Sequence, residues 1–474
     1  MKIKLGLGEL NMESVARYCS GELYDYTKVK GCSVSYVCTD SREADPETLF
    51  VATRGERVDG HDYIISAIDK GCRCVLCEYV PTNIAGREVA FVTVENSLEA
   101  FALIARGYRE EKKLRVVALT GSVGKTTTKE LTASILSRET NLYATHGNFN
   151  SVIGMPMSLM EVPEDKDTAV FEMGMSGFGE IRSMSMTATP DVAMVVNIGS
   201  SHLEYLKTRE NIARAKLEIA EGLKSGGRLL LNGDEPLLRK SFKGKKYSVM
   251  YLGIEDHKRC DAYAENIKVD ASGTEFDLVF DKKTVRSLKI KLIGKQFVYN
   301  ALFASVAAML MGCSESAVRE GLISYAPDGI RQNIYQKDGI TVIADCYNAA
   351  PESMRGAIDT LKAIDVEGKR IAVLGDMREL GEDSDEMHRE IGRYVASSGV
   401  DLLLTIGESG ALIAQGAILS GMAAQNVFAE KDTESIERLC KEISGRMAKG
   451  DAVLFKASRG VKLERAIQNL FENK

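Results

Sequence analysis

The sequence predicts an α/β protein made of three domains. Its 474 residues correspond to about three domains of ordinary size. Short continuous apolar runs alternate with helical segments along most of the chain, and such runs are typical of parallel strands buried on both faces. Changes in this pattern of strands and helices divide the chain into residues 1–113, 114–325 and 326–474. We therefore expect a small α/β domain, a central domain with a parallel sheet, and a C-terminal Rossmann-like α/β domain.

The first block mixes short helices with short strands and contains three cysteines close together, Cys72, Cys74 and Cys77. A metal site would need further ligands at zinc-type spacing, and no second cysteine pair or histidine stands nearby in the sequence. We therefore interpret CRCVLCE as a buried strand that follows a helix. The elements predicted in this block are a helix over Met12–Cys19, a strand over Ser33–Thr39, a helix over Tyr63–Lys70 and a strand over Cys74–Glu78.

The second and third blocks have the alternation expected of parallel sheets. The elements predicted in the second are strands over Leu114–Leu119, Thr168–Glu172, Val192–Ile198 and Arg228–Leu231, helices ending near Ser137 and spanning Glu210–Leu223 and Asn300–Met311, and an antiparallel extension within Tyr247–Lys291. The strands predicted in the third are Thr341–Asp345, Arg370–Leu374, Leu402–Ile406 and Ala452–Lys456, with helices between them. The third block is therefore predicted to be doubly wound.

Composition and charge argue against two classes of partner, nucleic acids and membranes. The net charge is −6, and the chain has no basic block of the kind that binds nucleic acid or an anionic membrane surface. The start of the chain, Met1–Leu10, is too mixed in charge for a signal peptide, and no stretch approaches the roughly 18 apolar residues that span a bilayer. We expect a cytoplasmic protein that neither inserts into a membrane nor binds nucleic acid.

One loop has the composition of a phosphate-binding site. Thr120–Thr128, TGSVGKTTT, lies between a predicted strand and a predicted helix, which is the context of a P-loop. Gly121 and Gly124 allow backbone amides to turn toward phosphate, and the following helix presents its N-terminus to the same anion. Lys125 is expected to reach the terminal phosphates. The first glycine of the full pattern is replaced by Leu119, so a chance Gly/Thr-rich helix start is the alternative.

Three further polar residues stand near the ends of strands or in a helix. Glu172 ends an apolar strand, and ligands of α/β proteins bind at the carboxyl ends of strands. His202 follows the next strand, within NIGSSH, and Lys216 lies in a predicted helix. Taken alone, each has an ordinary structural interpretation: a solvated charge, a structural histidine and an exposed helix lysine.

Ten segments in order resemble the Mur ligases, which build bacterial peptidoglycan precursors. The resemblance covers about residues 10 to 465. The segments are TDSR (Thr39–Arg42), LFVATRGERVDGHDY (Leu49–Tyr63), TGSVGKTTTKE, GNFNSVIGMP (Gly147–Pro156), FEMGMSGFGEI (Phe171–Ile181), NIGSSHLEYL (Asn197–Leu206), ENIARAKLEIA (Glu210–Ala220), DCYNAAPESM (Asp345–Met354), LGDMRELG (Leu374–Gly381) and FKASRGVKLE (Phe455–Glu464).

The resemblance implies an ATP-dependent amide ligase that joins D-Ala-D-Ala to UDP-MurNAc-tripeptide through an acyl phosphate. Residues 1–113 would bind the UDP-substrate, residues 114–325 ATP, and residues 326–474 the amino substrate. The cofactors implied are ATP, two Mg²⁺ ions and CO₂, the last as a carbamate on Lys216. The chain is expected to act as a monomer.

The resemblance also implies roles for individual residues. Lys125, Glu172, His202 and Lys216 would be catalytic, and the last three, with Thr126, would ligate metal. The ATP-binding set is Gly121, Ser122, Val123, Gly124, Lys125, Thr126, Thr127, Asn300, Arg331, Asp345, Tyr347 and Asn348. The substrate-binding set is Thr39, Asp40, Ser41, Arg42, Asn148 and Asn150.

The sequence departs from the family at one place. Gln296 and Phe297 stand where members usually carry His and Asn, near the expected nucleotide. The glutamine keeps its hydrogen-bonding capacity, whereas the phenylalanine can stack or only pack. The alternatives are a sister Mur ligase, a folylpolyglutamate-synthetase-like ligase, and a P-loop protein that binds nucleotide without ligation. A second metal site at Glu172, His202 and Lys216 would exclude the last.

Overall fold

The structure is a computed structural model that describes residues 1–24, 31–55, 58–84, 86–110, 112–241, 247–327 and 329–472. Two residues of the Leu49–Tyr63 segment, Glu56 and Arg57, lie outside the described residues. The described chain forms sheets of six, nine and six strands, together with a two-stranded ribbon. The α/β fold class is thus confirmed. The domain boundaries at residues 113 and 325 stay a prediction, and both fall between sheets.

The N-terminal sheet has the order β1-β5-β6-β7-β8-β3, with β5 to β8 parallel and both edge strands antiparallel. Its strands, with those of the ribbon, are β1 (Lys2–Lys4), β2 (Leu10–Asn11), β3 (Glu22–Tyr24), β4 (Ser33–Val34), β5 (Tyr36–Cys38), β6 (Thr48–Val51), β7 (Cys74–Cys77) and β8 (Ala90–Thr93). The helices are α1 (Met12–Cys19), α2 (Ile64–Asp69) and α3 (Ser97–Glu110), with 3₁₀ helices at Ser41–Glu43 and Gly60–Tyr63. All of β7 is buried, as CRCVLCE predicts.

The predicted strand Ser33–Thr39 is wrong as one continuous element. It divides at Ser35 into β4, which pairs with β2, and β5, which pairs with β1 and β6. The division has a hydrogen-bonding cause, because the Ser35 carbonyl accepts from the Leu5 amide while the Ser35 amide donates to the Glu47 carbonyl. This one segment therefore contributes strands to two sheets.

The central sheet has the order β10-β11-β9-β12-β13-β14-β15-β16-β17 and is parallel through β15. Its strands are β9 (Arg115–Thr120), β10 (Leu142–Ala144), β11 (Thr168–Glu172), β12 (Val192–Val195), β13 (Arg228–Asn232), β14 (Ser248–Gly253), β15 (Ala262–Asp270), β16 (Gly273–Phe280) and β17 (Lys283–Ile290). The helices are α4 (Lys125–Leu136), α5 (Gly154–Met160), α6 (Glu180–Ala188), α7 (Leu203–Leu206), α8 (Arg209–Leu217), α9 (Pro236–Ser241), α10 (Gln296–Leu310) and α11 (Glu315–Ser324), with 3₁₀ helices at Glu218–Gly222 and His257–Arg259.

Two predictions for this domain need correction. The antiparallel extension is confirmed for β15 to β17, but β14 pairs parallel with β13. The predicted helix Glu210–Leu223 ends as an α-helix at Leu217 and continues as a 3₁₀ helix. At that point the Glu218 carboxylate accepts from the amides of Gly179 and Arg182 at the start of α6. The chain tightens there because it caps a neighbouring helix.

The C-terminal sheet has the order β18-β19-β23-β20-β21-β22, parallel except for the edge pair β18–β19. Its strands are β18 (Asn333–Lys337), β19 (Ile340–Asp345), β20 (Arg370–Gly375), β21 (Leu402–Ile406), β22 (Val427–Glu430) and β23 (Ala452–Lys456). The helices are α12 (Pro351–Ala363), α13 (Ser384–Ser397), α14 (Gly410–Leu419), α15 (Ile436–Arg446) and α16 (Glu464–Phe471), with 3₁₀ helices at Gly381–Asp383, Ala424–Asn426 and Arg459–Val461. The doubly wound prediction is confirmed.

The central and C-terminal domains meet at the carboxyl ends of their parallel strands. The segments after β9, β10 and β12 contact Arg331 and the segments after β19 and β20, as their hydrogen bonds and ion pairs show. No helix among the described residues is long and apolar enough to cross a membrane. Loops at the ends of parallel strands are where α/β proteins bind their ligands, so the junction of the two domains is the candidate site.

Candidate active site

The Thr120–Thr128 loop joins β9 to α4 and has the geometry of a P-loop. Gly124 has φ +75°, and a Cβ there would lie 2.5 Å from Nδ2 of Asn300. Asn197 shapes the loop from β12: its Oδ1 accepts from the amides of Ser122 and Val123, each at 2.9 Å. Its Nδ2 donates to the Val123 carbonyl at 2.7 Å. The strand β12 ends before Asn197, earlier than predicted, because that residue's polar groups serve the loop.

Lys125 is held against the loop itself. Its Nζ donates to the Gly121 carbonyl at 2.8 Å. Burial lowers the pKa of this lysine, and the nearby Arg331 guanidinium lowers it further, while Glu172 and Glu379 oppose the shift. A phosphate among these groups would supply the counter-charge that favours the ammonium form. The side chain is thus placed to exchange a weak backbone partner for an anion.

Glu172, at the end of β11, is the centre of a polar cluster. Its Oε2 accepts from Thr126 Oγ1 and its Oε1 from Asn150 Nδ2, both at 2.9 Å. Arg331 of the C-terminal block donates to Thr126 Oγ1. The structure therefore brings together four of the residues that the sequence nominated from four separate segments.

Lys216 is not the exposed helix lysine of the ordinary interpretation. Only 1% of its surface is accessible. Burial lowers the pKa of this lysine well below its usual value, and the Lys125 cation adds to the shift. No hydrogen bond or ion pair of its side chain is found among the described residues. Burial therefore favours the neutral form of the amine, the form that can react with CO₂.

His202 precedes α7 in a left-handed backbone conformation, with φ +66°. Its Nδ1 lies 2.6 Å from an oxygen of Glu379, which belongs to the C-terminal domain. Contact with His202 lowers the pKa of the Glu379 carboxyl. A second carboxylate of that domain, Glu352, accepts from Ser200 Oγ at 2.9 Å. The turn that carries His202 is thus contacted by the side chains of two residues from across the junction.

The end of β19 carries a buried ion pair. Asp345 lies 2.5 Å from Nζ of Lys456, at the end of β23, and only 2% of Lys456 is exposed. The same Nζ donates to the Asn348 carbonyl at 3.0 Å. The segment after β19 then reaches the central domain, because Tyr347 donates its hydroxyl proton to Asn148 Oδ1. The Arg331 guanidinium stacks on the Tyr347 ring at 3.3 Å.

A cavity of about 480 Å³ opens beside the P-loop, between the two domains. Asn300 lines it and donates to Thr128 Oγ1 at 2.9 Å. Thr127 donates to Gln332, another lining residue, at 3.2 Å. Gln296 bridges the domains by donating to the Gly356 carbonyl at 3.0 Å, whereas Phe297 packs into the apolar core. Both residues also line the cavity, so the two departures from the family pattern lie where the nucleotide is expected.

The TDSR segment lies apart from this cluster, in the N-terminal domain. Asp40 caps the 3₁₀ helix Ser41–Glu43, and Arg42 pairs with the Asp40 carboxylate at 2.6 Å. This pairing lowers the pKa of Asp40 below its usual range. Ser41 is buried, and the amide of Thr39 donates to the Met1 carbonyl. Within the described residues, no hydrogen bond joins these four to the P-loop.

The donor set near Glu172 suits Mg²⁺ only in part as it stands. Among the described residues, no group of three or more His, Cys, Asp or Glu side chains is placed to hold a metal ion. Glu172, the Thr126 hydroxyl and the Asn150 amide are the oxygen donors that Mg²⁺ prefers. A carbamate on Lys216 would add a carboxylate-like ligand, so the residues fit the metal once that amine is modified.

Four site residues escaped the sequence reasoning: Asn197, Glu352, Glu379 and Lys456. All four lie inside segments that resembled the Mur ligases, yet none followed from residue type alone. Lys456 had a usable signal, since a lysine that ends a continuous apolar strand in FKASRG is poorly placed for solubility. The other three act through contacts between separate segments, which a single sequence does not display.

Three family models match the chain in order. Residues 33–109 match the model described as the Mur ligase family catalytic domain, and residues 119–308 match the Mur ligase middle domain. Residues 331–459 match the model described as the Mur ligase, glutamate ligase domain. These matches cover most of the described residues and follow the order of the three sheets.

Whole-chain relatives agree with these matches. UDP-N-acetylmuramoyl-tripeptide–D-alanyl-D-alanine ligase of Bacillus subtilis is 36% identical over 98% of this chain and 98% of its own. A crystal structure of MurF from Acinetobacter baumannii superimposes with a TM-score of 0.88 at 29% identity, covering 99% of this chain and 100% of that one. MurF from Thermotoga maritima in complex with ADP gives 0.80 at 29% identity, covering 92% and 96%. The chain therefore belongs to the Mur ligase family, and within it to the MurF type.

Proposed function

We propose that the chain is an ATP-dependent ligase that joins D-alanyl-D-alanine to UDP-N-acetylmuramoyl-tripeptide in peptidoglycan synthesis. One observation carries the proposal: a P-loop lysine, a strand-end carboxylate and a buried lysine of lowered pKa converge near the junction of two domains. The B. subtilis relative that bears this activity in its name matches nearly the whole chain. A protein that only binds nucleotide has no use for the uncompensated amine of Lys216.

We propose the following roles for the site residues. The amides of Gly121 to Thr127 and the ammonium of Lys125 bind the phosphates of ATP, because a P-loop and a helix N-terminus favour anions. The cavity beside Asn300 takes the rest of the nucleotide. Arg331 and Tyr347 contact it from the C-terminal domain, and Asp345, paired with Lys456, holds the Asn348 segment in place.

Two Mg²⁺ ions are proposed to complete the site. Thr126, Glu172, His202 and Lys216, as its carbamate, would hold them. Magnesium neutralises charge between phosphate and carboxylate groups, which otherwise repel each other. Burial favours the neutral form of the Lys216 amine, which would add to CO₂ and lose a proton, and the resulting carbamate would supply an anion to a site rich in cations. Asn150, which donates to Glu172, orients that carboxylate.

The reaction proceeds in two displacements. The terminal carboxylate of the tripeptide attacks the γ-phosphorus of ATP, forms an acyl phosphate and releases ADP. The amine of D-Ala-D-Ala then attacks the acyl carbon, loses a proton as the C–N bond forms, and expels phosphate. Lys125 stabilises charge on the transferred phosphoryl group. Contacts between the domains, such as that of Tyr347 with Asn148, exclude water that would hydrolyse the acyl phosphate.

The remaining parts of the proposal concern the whole chain. Residues 1–113 bind the UDP end of the substrate, residues 114–325 bind ATP, and residues 326–474 present D-Ala-D-Ala. Thr39 to Arg42 contact the UDP group, and Asn148 contacts the peptide. Arg42 is suited to a pyrophosphate, because its planar fork can donate to two oxygens once it leaves Asp40. The chain acts as a monomer in the cytoplasm.

The test is a ligation assay with defined amines. Purified chain is given ATP, Mg²⁺, bicarbonate and UDP-MurNAc-tripeptide, together with D-Ala-D-Ala, meso-diaminopimelate, L-lysine or L-glutamate. Among these amines, we expect only D-Ala-D-Ala to support phosphate release. The same sample should contain a product with the mass of the pentapeptide. Lys125→Met should abolish both signals. Lys258→Met, which changes an exposed lysine of the same domain, should leave them unchanged.

The outcomes separate the levels of the proposal. Phosphate release with another amine and none with D-Ala-D-Ala contradicts the assignment of the amino substrate. ATP binding without release for any amine contradicts ligation itself. Full activity of Lys125→Met shows that the P-loop does not bind the reacting nucleotide.

A further inference from the structure

The turn Gly199–Leu206, which carries His202, is held from the C-terminal domain at three points. Glu379 contacts Nδ1 of His202 at 2.6 Å, and the Glu379 carbonyl accepts from the Glu204 amide at 3.1 Å. Glu352 accepts from Ser200 at 2.9 Å. A Cβ on Gly199 would lie 2.9 Å from the Glu352 carboxyl, so a larger residue there would displace that side chain. The turn therefore takes its conformation in contact with the other domain.

The backbone at this turn is unusual on both sides of the contact. His202 has φ +66° and Glu379 has φ +62°, the left-handed region that residues with a side chain seldom adopt. Such conformations persist where surrounding contacts determine them, and they are frequent at functional sites. Here the two strained residues are the two that touch each other across the domain junction.

We propose that Glu379 is a positioning residue that fixes the imidazole of His202 for metal binding when the two domains are closed. The inference deepens the proposed function, because it rests on His202 being a ligand of the second Mg²⁺. Glu379 does not itself touch the metal or the reacting groups. It acts through the ring of His202.

The chemistry of histidine supports this assignment. An imidazole has two nitrogens, and the partner of one nitrogen sets which of them is free to ligate a metal. Because the Glu379 carboxylate lies 2.6 Å from Nδ1, Nε2 is the nitrogen left for the metal. A carboxylate behind a metal-bound histidine fixes the ring orientation and raises its basicity as a ligand. The contact therefore favours the tautomer that carries its proton on Nδ1.

The arrangement also couples metal binding to closure of the domains. His202 belongs to the central domain and Glu379 to the loop after β20 of the C-terminal domain. The pair exists only when the domains meet as they do here. The second metal site is therefore complete only in the closed form, in which the acyl phosphate is protected from water.

The test counts bound metal directly, with Mn²⁺ as the probe. The full chain is mixed with a non-hydrolysable ATP analogue and bicarbonate, and bound Mn²⁺ is titrated by electron paramagnetic resonance. We expect wild type to bind two ions. Glu379→Ala should weaken the second ion about ten- to a hundredfold and leave the first within about twofold. Glu379→Gln keeps an acceptor for Nδ1–H and should restore most of the affinity.

Two further variants make the result decisive. His202→Ala should lose the second ion, and the double variant His202→Ala/Glu379→Ala should be no weaker than His202→Ala alone, since the two residues act as one unit. Glu382→Ala changes an exposed carboxylate of the same loop and serves as the matched control. A merely structural role for Glu379 would lower the melting temperature and leave the second Mn²⁺ site unchanged.

The results distinguish this inference from the proposed function. If His202→Ala loses the second ion while Glu379→Ala binds both with wild-type affinity, the role of Glu379 is refuted and the metal assignment stands. If His202→Ala binds both ions as wild type does, His202 is not a ligand and the inference falls with that part of the proposed function. Equal loss in Glu379→Gln and Glu379→Ala would refute the positioning of the ring through Nδ1.

Discussion

Replacing Lys216 with methionine should make the protein more stable and inactive. The lysine side chain is almost fully buried, and no hydrogen bond of its amine is found among the described residues, so the desolvated amine destabilises the folded protein. Methionine has nearly the same length and no polar nitrogen, and it fills the same space. The variant Lys216→Met therefore removes a destabilising group while it removes the amine that reacts with CO₂.

The size of the effect follows from burial and proton linkage. An unsatisfied buried polar group costs about 1–3 kcal/mol, so the variant should gain that much free energy of unfolding in CO₂-free buffer at high pH. In wild type the folded-state pKa of Lys216 lies below its unfolded value of about 10.4. Between those two values the unfolded chain binds one more proton. Wild-type stability therefore rises with pH, by at most about 1.4 kcal/mol per unit.

The assay is urea unfolding of wild type and Lys216→Met at pH 7, 8 and 9. The variant should be the more stable of the two at pH 7, and its advantage should shrink as pH rises, because only wild type gains stability. Bicarbonate should stabilise wild type alone, since the carbamate forms on the folded protein. Ligation by the variant should fall at least about a hundredfold. Lys258→Met, which alters an exposed lysine, should show neither effect.

Two results would refute the reasoning. A stability difference that does not change between pH 7 and 9 would mean that Lys216 is protonated in the folded state, and hence that an anion compensates it. Ligation that survives in Lys216→Met would remove the carbamate from the mechanism, whatever its stability.

Three other predictions concern the P-loop and the C-terminal sheet. Lys456→Met should lower the free energy of unfolding by about 3–5 kcal/mol in urea, because it leaves Asp345 buried without its partner; the double change with Asp345→Asn should recover most of the loss. Asn197→Ala removes three hydrogen bonds to the P-loop and should raise the ATP Kd at least about tenfold by calorimetry, whereas an unchanged Kd would show that the loop holds its shape unaided. Gly124→Ala places a Cβ against Asn300 at positive φ and should cost at least about 1–2 kcal/mol of stability, with weaker ATP binding; wild-type melting would contradict the close approach.

Secondary structure was predicted most accurately from the sequence where apolar runs were continuous. The strands Leu402–Ile406 and Ala452–Lys456 were predicted to the residue, because a strand buried on both faces has no polar position to obscure its ends. Prediction failed where one segment makes structural contacts with two separate neighbours. Ser33–Thr39 serves two sheets, and the helix after Glu210 tightens at Glu218 to cap α6. Those demands come from distant residues.

The residues of the candidate site likewise form two groups: those that the sequence indicates and those that only the structure identifies. The loop Thr120–Thr128, Glu172 and His202 could be nominated from the sequence, because each follows or ends an apolar strand and strand ends gather at one edge of a parallel sheet. Lys216 could be nominated only through its resemblance to a family. In a helix pattern a lysine is ordinarily exposed, and only the packed structure shows that its amine is buried and that burial lowers its pKa.

The sequence by itself determined the fold class, the position of the phosphate loop and the family to which the chain belongs. These depend on local order along the chain: apolar runs, glycine spacing, and segments in succession. The tertiary structure alone decided which groups meet across domains, such as Glu379 with His202, and which charges lose their solvent, such as Lys216 and Lys456. Proximity and desolvation are properties of packing, and they set the pKa of an amine or the orientation of a ring. The chemistry of this site depends on both.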